Sequence, residues 1–586
     1  MKHRQVSRRD FLALSAKGIG AAVISYGLMG CNSSDDDPHN PATFKQGVAS
    51  GDPTSSAVIL WTRVTPERAG DVQVSWQVAT DKGFTQLVHQ GSTLTNDKRD
   101  YTVKIDAQGL EAGREYFYRF SVGDNASAIG RTKTLANHDV SQVKLAVLSC
   151  ANFPAGFFNV YHLAATQTEL DAVVHLGDYI YEYPRGGYAS ENAAKLDREV
   201  LPVGELLSLS DYRSRYQQYR SDTDLQSLHA AVPFICVWDD HEVANDAWQH
   251  GAENHNDGEG DYDARKLAGL QAYFEWLPIR PWREGEFEEI YRSFNFGHLV
   301  DLHMLDTRHL GRDKPYDYSE FIDAATGAFD SAKFLAAVTD TQRTMLGQTQ
   351  LLWLQGQLLT ASAQWQVLGQ QVLMGRMLLP AAIATQQLSI TDFARLAQLA
   401  QLAARAAAGD PSLTAQQVAY LQANQAQLTP QVLALLKLPN IPYNLDAWDG
   451  YAYEREVILA TARSSGKELV VIAGDTHNAW ASELNDINGN RVGVEFATSS
   501  VSSPGLEYYL KLDPNQTAAI EGAVTELVGP LKYCNLYDRG CMILTFTPEQ
   551  VISQWLFVDS LLTRDYQVLT NRSQQMRWNS QGLQAV

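Results

Sequence analysis

The sequence predicts an α/β chain preceded by an all-β domain of the immunoglobulin or fibronectin kind. Three observations carry that expectation. From Val143 onward, apolar runs of strand length alternate with helix-forming stretches. Between residues 44 and 135 the runs are short and separated by Gly- and Asp-rich turns. Four of the later runs end on Cys, Asp, Tyr or His, and ligands of open α/β sheets gather at the carboxyl ends of strands.

The first residues read as an address. Ser7-Arg8-Arg9-Asp10-Phe11-Leu12 is a twin-arginine signature, followed by a short apolar region broken by Gly and Ser. That region is too short and interrupted for a permanent membrane span. Leu28-Met29-Gly30-Cys31 resembles a bacterial lipobox, which would make Cys31 the lipidated first residue of the mature chain; a plain signal peptide cut nearby is the alternative. The expected partners are therefore the twin-arginine translocase during export and a membrane reached through the lipid at Cys31, with the mature protein periplasmic or extracellular. Residues 32–43 begin as a polar tether, Asn32-Ser33-Ser34-Asp35-Asp36-Asp37-Pro38.

The all-β domain is expected over residues 44–137. Its strands include Ala57–Arg63, residues 72–78 and Glu115–Val122, in which Tyr116, Tyr118 and Phe120 fall on one face and suit a sandwich core. No clustered chemistry marks it, so a spacer or support role is the plain expectation.

The α/β domain is expected over residues 143–565, followed by a C-terminal tail at 566–586. Its first strand ends in Cys150-Ala151-Asn152, and a helix over 157–170 leads into Ala172-Val173-Val174-His175. That strand closes on Gly177-Asp178, with Tyr181 three residues beyond. Phe234-Ile235-Cys236-Val237-Trp238 runs into Asp239-Asp240-His241-Glu242, with Asn245 close by, and residues 468–473 run into Gly474-Asp475-Thr476-His477. Any one such end is explicable as a turn. Together they pack acids at a cost that cations would remove, because like charges raise one another's pKa.

At 586 residues the chain is long enough for two domains. A net charge of −20 argues against nucleic acid as a partner, since polyanions need basic surfaces. Cys236 sits in an apolar run and is expected to be an inert buried thiol, whereas Cys534 and Cys541 are close enough in sequence to pair in an oxidising compartment. From 374 to 438 the chain is rich in Ala, Gln and Leu and reads as a helical hairpin inserted into the domain, broken at Gly409-Asp410-Pro411, with Ser412 as the cap of its second helix. It would narrow the site, bind a partner or only pack.

The succession Ser149-Cys150-Ala151-Asn152, Gly177-Asp178-Tyr179-Ile180-Tyr181-Glu182, Trp238-Asp239-Asp240-His241-Glu242 and Gly474-Asp475-Thr476-His477 resembles the PhoD-type alkaline phosphatases, within the calcineurin-like metallophosphoesterase and purple-acid-phosphatase group. Met304-Leu305-Asp306-Thr307-Arg308, residues 343–347 and Trp353-Leu354 add to the likeness, which covers nearly the whole mature chain. The resemblance implies a four-layer α-β-β-α sandwich, ferric iron and calcium as cofactors, and hydrolysis of phosphate esters outside the cytoplasm by a metal-bound hydroxide. It implies Cys150, Asp178, Tyr181 and His477 as iron ligands, Asp178 bridging, with Asp240 and Asp475 on calcium. Asp239 would bind a second calcium or brace the loop. His241 would face the phosphate and Asn245 would touch phosphate or metal, while Arg308 and Arg343 are phosphate partners or structural ion pairs. Thiolate, phenolate and imidazole suit a transition metal, and carboxylates suit Ca²⁺. The rival functions are a phosphodiesterase or phospholipase D of the same fold and a lipid-anchored, non-catalytic binding protein.

Overall fold

The computed structural model describes residues 40–586 except 282, 284, 324–328, 386 and 443. Arg8, Arg9, the lipobox with Cys31 and most of the tether lie outside the described residues. Among the described residues no helix is long and apolar enough to cross a membrane.

Two sheets face each other. The larger has ten strands in the order Gly582–Ala585, Gln574–Asn579, Val551–Val558, Arg539–Phe546, Val143–Leu148, Ala172–His175, Phe234–Cys236, Val48–Gly51, Ala57–Arg63 and Thr102–Gln108. The second has seven, in the order Arg292–Phe296, Val300–Met304, Trp365–Gly369, Glu468–Ala473, Arg491–Ala497, Ala479–Asn485 and Leu531–Asn535. At the centre of each sheet the strands that carry polar ends run parallel: Val143–Leu148 beside Ala172–His175 beside Phe234–Cys236, and Trp365–Gly369 beside Glu468–Ala473.

Alternation along the strands explains the layers. In Glu468–Ala473, Val470 and Ile472 join the core between the sheets with Val147, Val174 and Trp555. Leu469, Val471 and Ala473 point the other way, onto Leu354 and Leu358 of helix Gly347–Thr360 and Ile458 and Leu459 of helix Ala452–Ser465. A strand buried on both faces must be apolar throughout, and each such side chain contributes about 1.5–3 kcal/mol by leaving water. The outer face of the larger sheet is covered by Asn159–Ala165 and Thr223–Ala231. The chain is thus α/β with four layers and an N-terminal β-rich region.

Several expectations are corrected. The N-terminal β-rich region packs two sheets around a core of its own, but one of them is shared, because Val48–Gly51, Ala57–Arg63 and Thr102–Gln108 extend the ten-stranded sheet through the pairing of Phe234 with Gly51. Tyr116, Tyr118 and Phe120 do point into its core. Residues 574–585 are no tail but two edge strands, held by the inward side chains Met576, Trp578 and Leu583. The insertion is four helices, Ala381–Ala384, Ile390–Ala407, Ala415–Asn424 and Pro430–Leu435, rather than a hairpin. Its cap after the Gly409 break is Thr414, which forms a reciprocal capping box with Gln417, while Ser412 bonds Asp410. The helix expected over 157–170 is confined to Asn159–Ala165. Cys534 and Cys541 are free buried thiols on strands of different sheets.

Candidate metal centre and active site

Four strand ends from the two sheets meet at one place. A Cβ on Gly474, after its strand in the seven-stranded sheet, would lie 2.8 Å from Ser149 Cβ of the other sheet, so glycine alone permits that approach. Gly177 is under a similar constraint: its φ is +104° and a Cβ there would come within 2.3 Å of the Asp239 nitrogen. Cys150, Asp178, Asp246, Asp475 and His477 all adopt positive φ, between 50° and 62°. Non-glycine residues in that region are strained, and such strain clusters where side chains must be aimed at one point.

Three overlapping groups of ligand-capable atoms result, each with its atoms within 4.8 Å of one another: Cys150, Asp178 and His477; Asp178, Asp240 and His241; Asp239, Asp240 and Asp475. Asp178 and Asp240 each belong to two groups. Tyr181 joins the first, donating to Asp178 Oδ2 at 2.8 Å and lying 3.2 Å from His477 Nε2, with the Ser503 hydroxyl 2.6 Å away. His477 Nδ1 lies 2.6 Å from the Pro504 carbonyl oxygen, which fixes Nδ1 as the protonated nitrogen and leaves Nε2 toward the group. His241 Nδ1 pairs with Glu182 at 2.6 Å, and its ring lies against Tyr181.

Arg308 organises the acids from within. Completely buried, it bonds Asp239 through Nε, Asp446 through Nη1 at 2.7 Å and Asp475 through Nη2 at 2.6 Å. It is thus an ion-pair centre of the site. Arg343 lies elsewhere: it donates to the Gly450 and Lys314 carbonyls and stacks on Tyr316 and Tyr451, so it is a structural cation and not a phosphate partner. Asp239 keeps one oxygen on Arg308, yet its Oδ2 is buried with no hydrogen-bond partner among the described residues, and so is Asp178 Oδ1. Two orphaned carboxylate oxygens in one cluster fit a cation-binding site, since buried polar atoms otherwise find partners.

The electrostatics point the same way. Burial, reinforced by Asp178, pushes the Cys150 thiol and the Tyr181 phenol well above their ordinary values. Burial raises Asp239 strongly and lifts Asp475 to about 7, against the pull of Arg308. Burial also acts to raise Asp240, but Arg308 and His241 hold it below the usual carboxylate range. Burial opposes charge on His241, yet Glu182 and Asp240 outweigh it and raise the imidazole. A cation inverts this logic, favouring carboxylate, thiolate and phenolate together.

The cluster opens into a cavity of about 180 Å³ whose wall includes Asp178, Asp240, His241, Asn245, Asp475 and His477. Cys150, Tyr181 and Asp239 are buried and do not contribute to that wall. Asn245 stands at the rim, its side chain on Glu253 at 3.1 Å and its backbone N–H on Glu182 at 2.8 Å. Sequence reasoning assigned no role to Glu182, Glu242, Asp446, Ser503 or Tyr188. Glu182 and Glu242 directly follow motif residues and were legible as part of them. Asp446 and Ser503 lie on loops with no local signal.

Acids, imidazoles, a phenol and a thiol gathered at strand ends of two stacked sheets define a metal-assisted hydrolase. Residues 145–555 match the family model for PhoD-like phosphatase, and residues 30–136 match the model for its N-terminal domain. Alkaline phosphatase D of Bacillus subtilis (strain 168) is 30% identical over 565 residues, covering 93% of this chain and 83% of that protein. A solved structure of PhoD matches with a TM-score of 0.71 at 27% identity, covering 94% of this chain and 93% of the other. The chain belongs to the PhoD-like phosphatase family and is a hydrolase of phosphoric esters.

Proposed function

We propose that the protein is an extracytoplasmic alkaline phosphatase that hydrolyses phosphate monoesters, and diesters as well, in the 180 Å³ cavity. The observation that carries this reading is the overlap of the three ligand groups through Asp178 and Asp240 at the cavity wall. Cys150, Tyr181, His477 and Asp178 would hold ferric iron, and Asp240 and Asp475, with Asp178 shared, would hold calcium; Asp239, through its free oxygen, is the available ligand for a further calcium. When bound, such ions supply charge to polarise phosphoryl oxygens and a nucleophilic water at neutral pH.

The chain's own groups do the rest. His241, gripped at Nδ1 by Glu182, holds a proton for a phosphate oxygen or the leaving group. Glu182 is itself fixed by the Asn245 and Asn254 nitrogens, so the imidazole cannot swing away. Asn245 offers a neutral polar contact at the rim. The diester reading draws on the space flanking the cavity: one neighbour shares Tyr183 and Tyr188 with it and another shares Asp246 and Asn444, room for a substituent on each side of phosphorus. Export by the twin-arginine route and lipidation at Cys31 are supported by the Ser7–Leu12 and Leu28–Cys31 motifs.

The test is elemental analysis of enzyme purified from its own periplasm, followed by rates on nitrophenyl monoesters and diesters. Iron and calcium with hydrolysis of monoesters is the expected result, and Asp178→Asn should lose both metals and at least a hundredfold in rate. Metal-replete protein that hydrolyses neither ester would favour the binding-protein reading instead.

A further inference from the structure

The catalytic cavity, at about 180 Å³, lies below the roughly 300–1,000 Å³ typical of pockets that hold small organic molecules. It can seat a phosphoryl group but not the alcohol it leaves behind. Next to it lies a cavity of about 660 Å³, and Asp246 and Asn444 belong to both walls. Asn245 in the smaller cavity bonds Glu253 in the larger at 3.1 Å, so the two are joined through side chains as well.

The wall of the larger cavity is built for a ring-bearing, uncharged group. Trp248, Tyr316 and Tyr318 line it. Each is held in place. Trp248 is pinned by a tight turn in which its N–H bonds the Gly251 carbonyl at 2.8 Å, and a Cβ on Gly251 would collide with the indole at 2.4 Å. Tyr316 is backed by the Arg343 guanidinium 3.8 Å from its ring centroid, and Tyr318 donates to the Pro442 carbonyl. Rigid aromatic walls bind ring faces at small entropic cost. The exposed charges in the wall are Glu253, Asp317 and Lys314, the ammonium of Lys314 standing 5.2 Å from the Trp248 ring centroid. Asp246 and Asp446 belong to the wall as well, Asp446 paired with Arg308 and Arg312, so Asp246, Glu253 and Asp317 against the one ammonium of Lys314 disfavour a leaving group that carries further negative charge.

We propose that this cavity is the leaving-group subsite, and that it selects phosphate esters of uncharged, ring-bearing alcohols of about nucleoside size over small or anionic ones. The assignment rests on the phosphatase reading of the adjoining site. Trp248 and Lys314 are specificity-determining residues here and take no part in the chemistry.

Adenosine 5′-monophosphate and methyl phosphate, assayed on the metal-replete enzyme, separate the two claims. Wild-type enzyme should prefer adenosine 5′-monophosphate at least tenfold in kcat/KM. Trp248→Ala should raise KM for that substrate about tenfold while leaving kcat and KM for methyl phosphate within twofold. Because Trp248 is partly buried, the exposed Lys314→Glu provides a second arm. It should lower kcat/KM for adenosine 3′,5′-bisphosphate at least fivefold more than for adenosine 5′-monophosphate. Equal wild-type rates on the large and small monophosphates, or a Trp248→Ala effect equal on both, would overturn the subsite. Hydrolysis of neither would overturn the phosphatase reading itself, and the subsite with it.

Discussion

Glu242 is the residue whose loss should most reveal how the site is held. Its carboxylate is completely buried and accepts the backbone N–H groups of Asp178 at 3.0 Å, Tyr179 at 2.6 Å, Ile180 at 3.3 Å and Asp239 at 2.6 Å. It therefore ties the loop after one strand to the loop after its neighbour. Glu242→Gln keeps the shape but replaces one acceptor oxygen with an NH₂ that faces N–H groups. Two of the four bonds are then lost, and at about 1.5–3 kcal/mol for a hydrogen bond to a charged group the cost is about 3–6 kcal/mol. At about 2 °C per kcal/mol, the sensitivity of the larger domains for which such shifts are known, the thermal midpoint should fall by about 6–12 °C. Released from Glu242, Asp178 should also relax from its positive φ of 52°, so metal content should drop along with activity. Differential scanning calorimetry and elemental analysis on the same preparation read both. A variant within 1 °C of wild type and with full metal content would show that the four N–H groups find other acceptors and that Glu242 does not position Asp178.

Replacing Arg8 and Arg9 together by Lys should leave folded protein in the cytoplasm, read by fractionation, and normal periplasmic accumulation would sink the twin-arginine reading. Tyr181→Phe and Cys150→Ser should each shift or weaken a visible charge-transfer band and lower activity, whereas an unchanged spectrum in both would remove them from the iron site. A calcium-selective chelator should abolish activity while that band survives, with Ca²⁺ restoring the rate and Mg²⁺ doing so poorly because it demands a tighter octahedral shell; loss of the band together with activity would refute the division of ligands. Away from the site, burial lifts Glu495 to about 7 although it accepts the Met374 and Gly375 N–H groups. A raised carboxyl contributes stability that is present below its unfolded value near 4.5 and is lost as pH rises to about 7, a swing of at most about 3 kcal/mol. Melting temperature plotted against pH for wild type and Glu495→Gln should therefore converge at low pH and diverge in the variant's favour by pH 7, and parallel curves would contradict it.

Much of the candidate site was legible because the residues proposed for it sit at strand ends. Asp178, Asp239, Asp240, Asp475 and His477 each follow an apolar run, and a run of that kind fixes where its last residue points. Their convergence followed from the parallel order of the central strands. The boundaries were less legible where tertiary contacts decide them. Val48–Gly51 and Ala57–Arg63 alternate like any sandwich strand, and only the pairing of Gly51 with Phe234 shows that they extend the larger sheet. The edge strand Gln574–Asn579 carries Met576 and Trp578 at period two between polar residues, a pattern too short to distinguish from a tail. Ser412 satisfies the rule for a cap, but Thr414 has the Gln417 three residues on that closes the box. Arg308 illustrates the limit best: an Arg after a strand carries no sign of which acids will surround it.

The charge balance around Arg308 explains why such a cluster folds and still has capacity for cations. Asp239, Asp446 and Asp475 are drawn to that one guanidinium, and Asp446 has a second partner in Arg312. His241 is already committed to Glu182, and it is the other positive group raised by its surroundings. Among the described residues the one basic side chain within 4 Å of Asp178 is His477, at 3.8 Å and with its Nδ1 committed to Pro504, and Asp240 is 3.6 Å from Arg308, the longest of that residue's contacts. Arg308 thus offsets enough repulsion for the loops to hold their strained shape, while Asp178, shared between two of the three ligand groups and with its Oδ1 unpartnered among the described residues, stays short of positive charge. Full neutralisation by further arginines would have stabilised the loops more, but it would also have filled the positions open to a cation. The deficit falls on Asp178, which lines the cavity where a phosphoryl group must be met by positive charge.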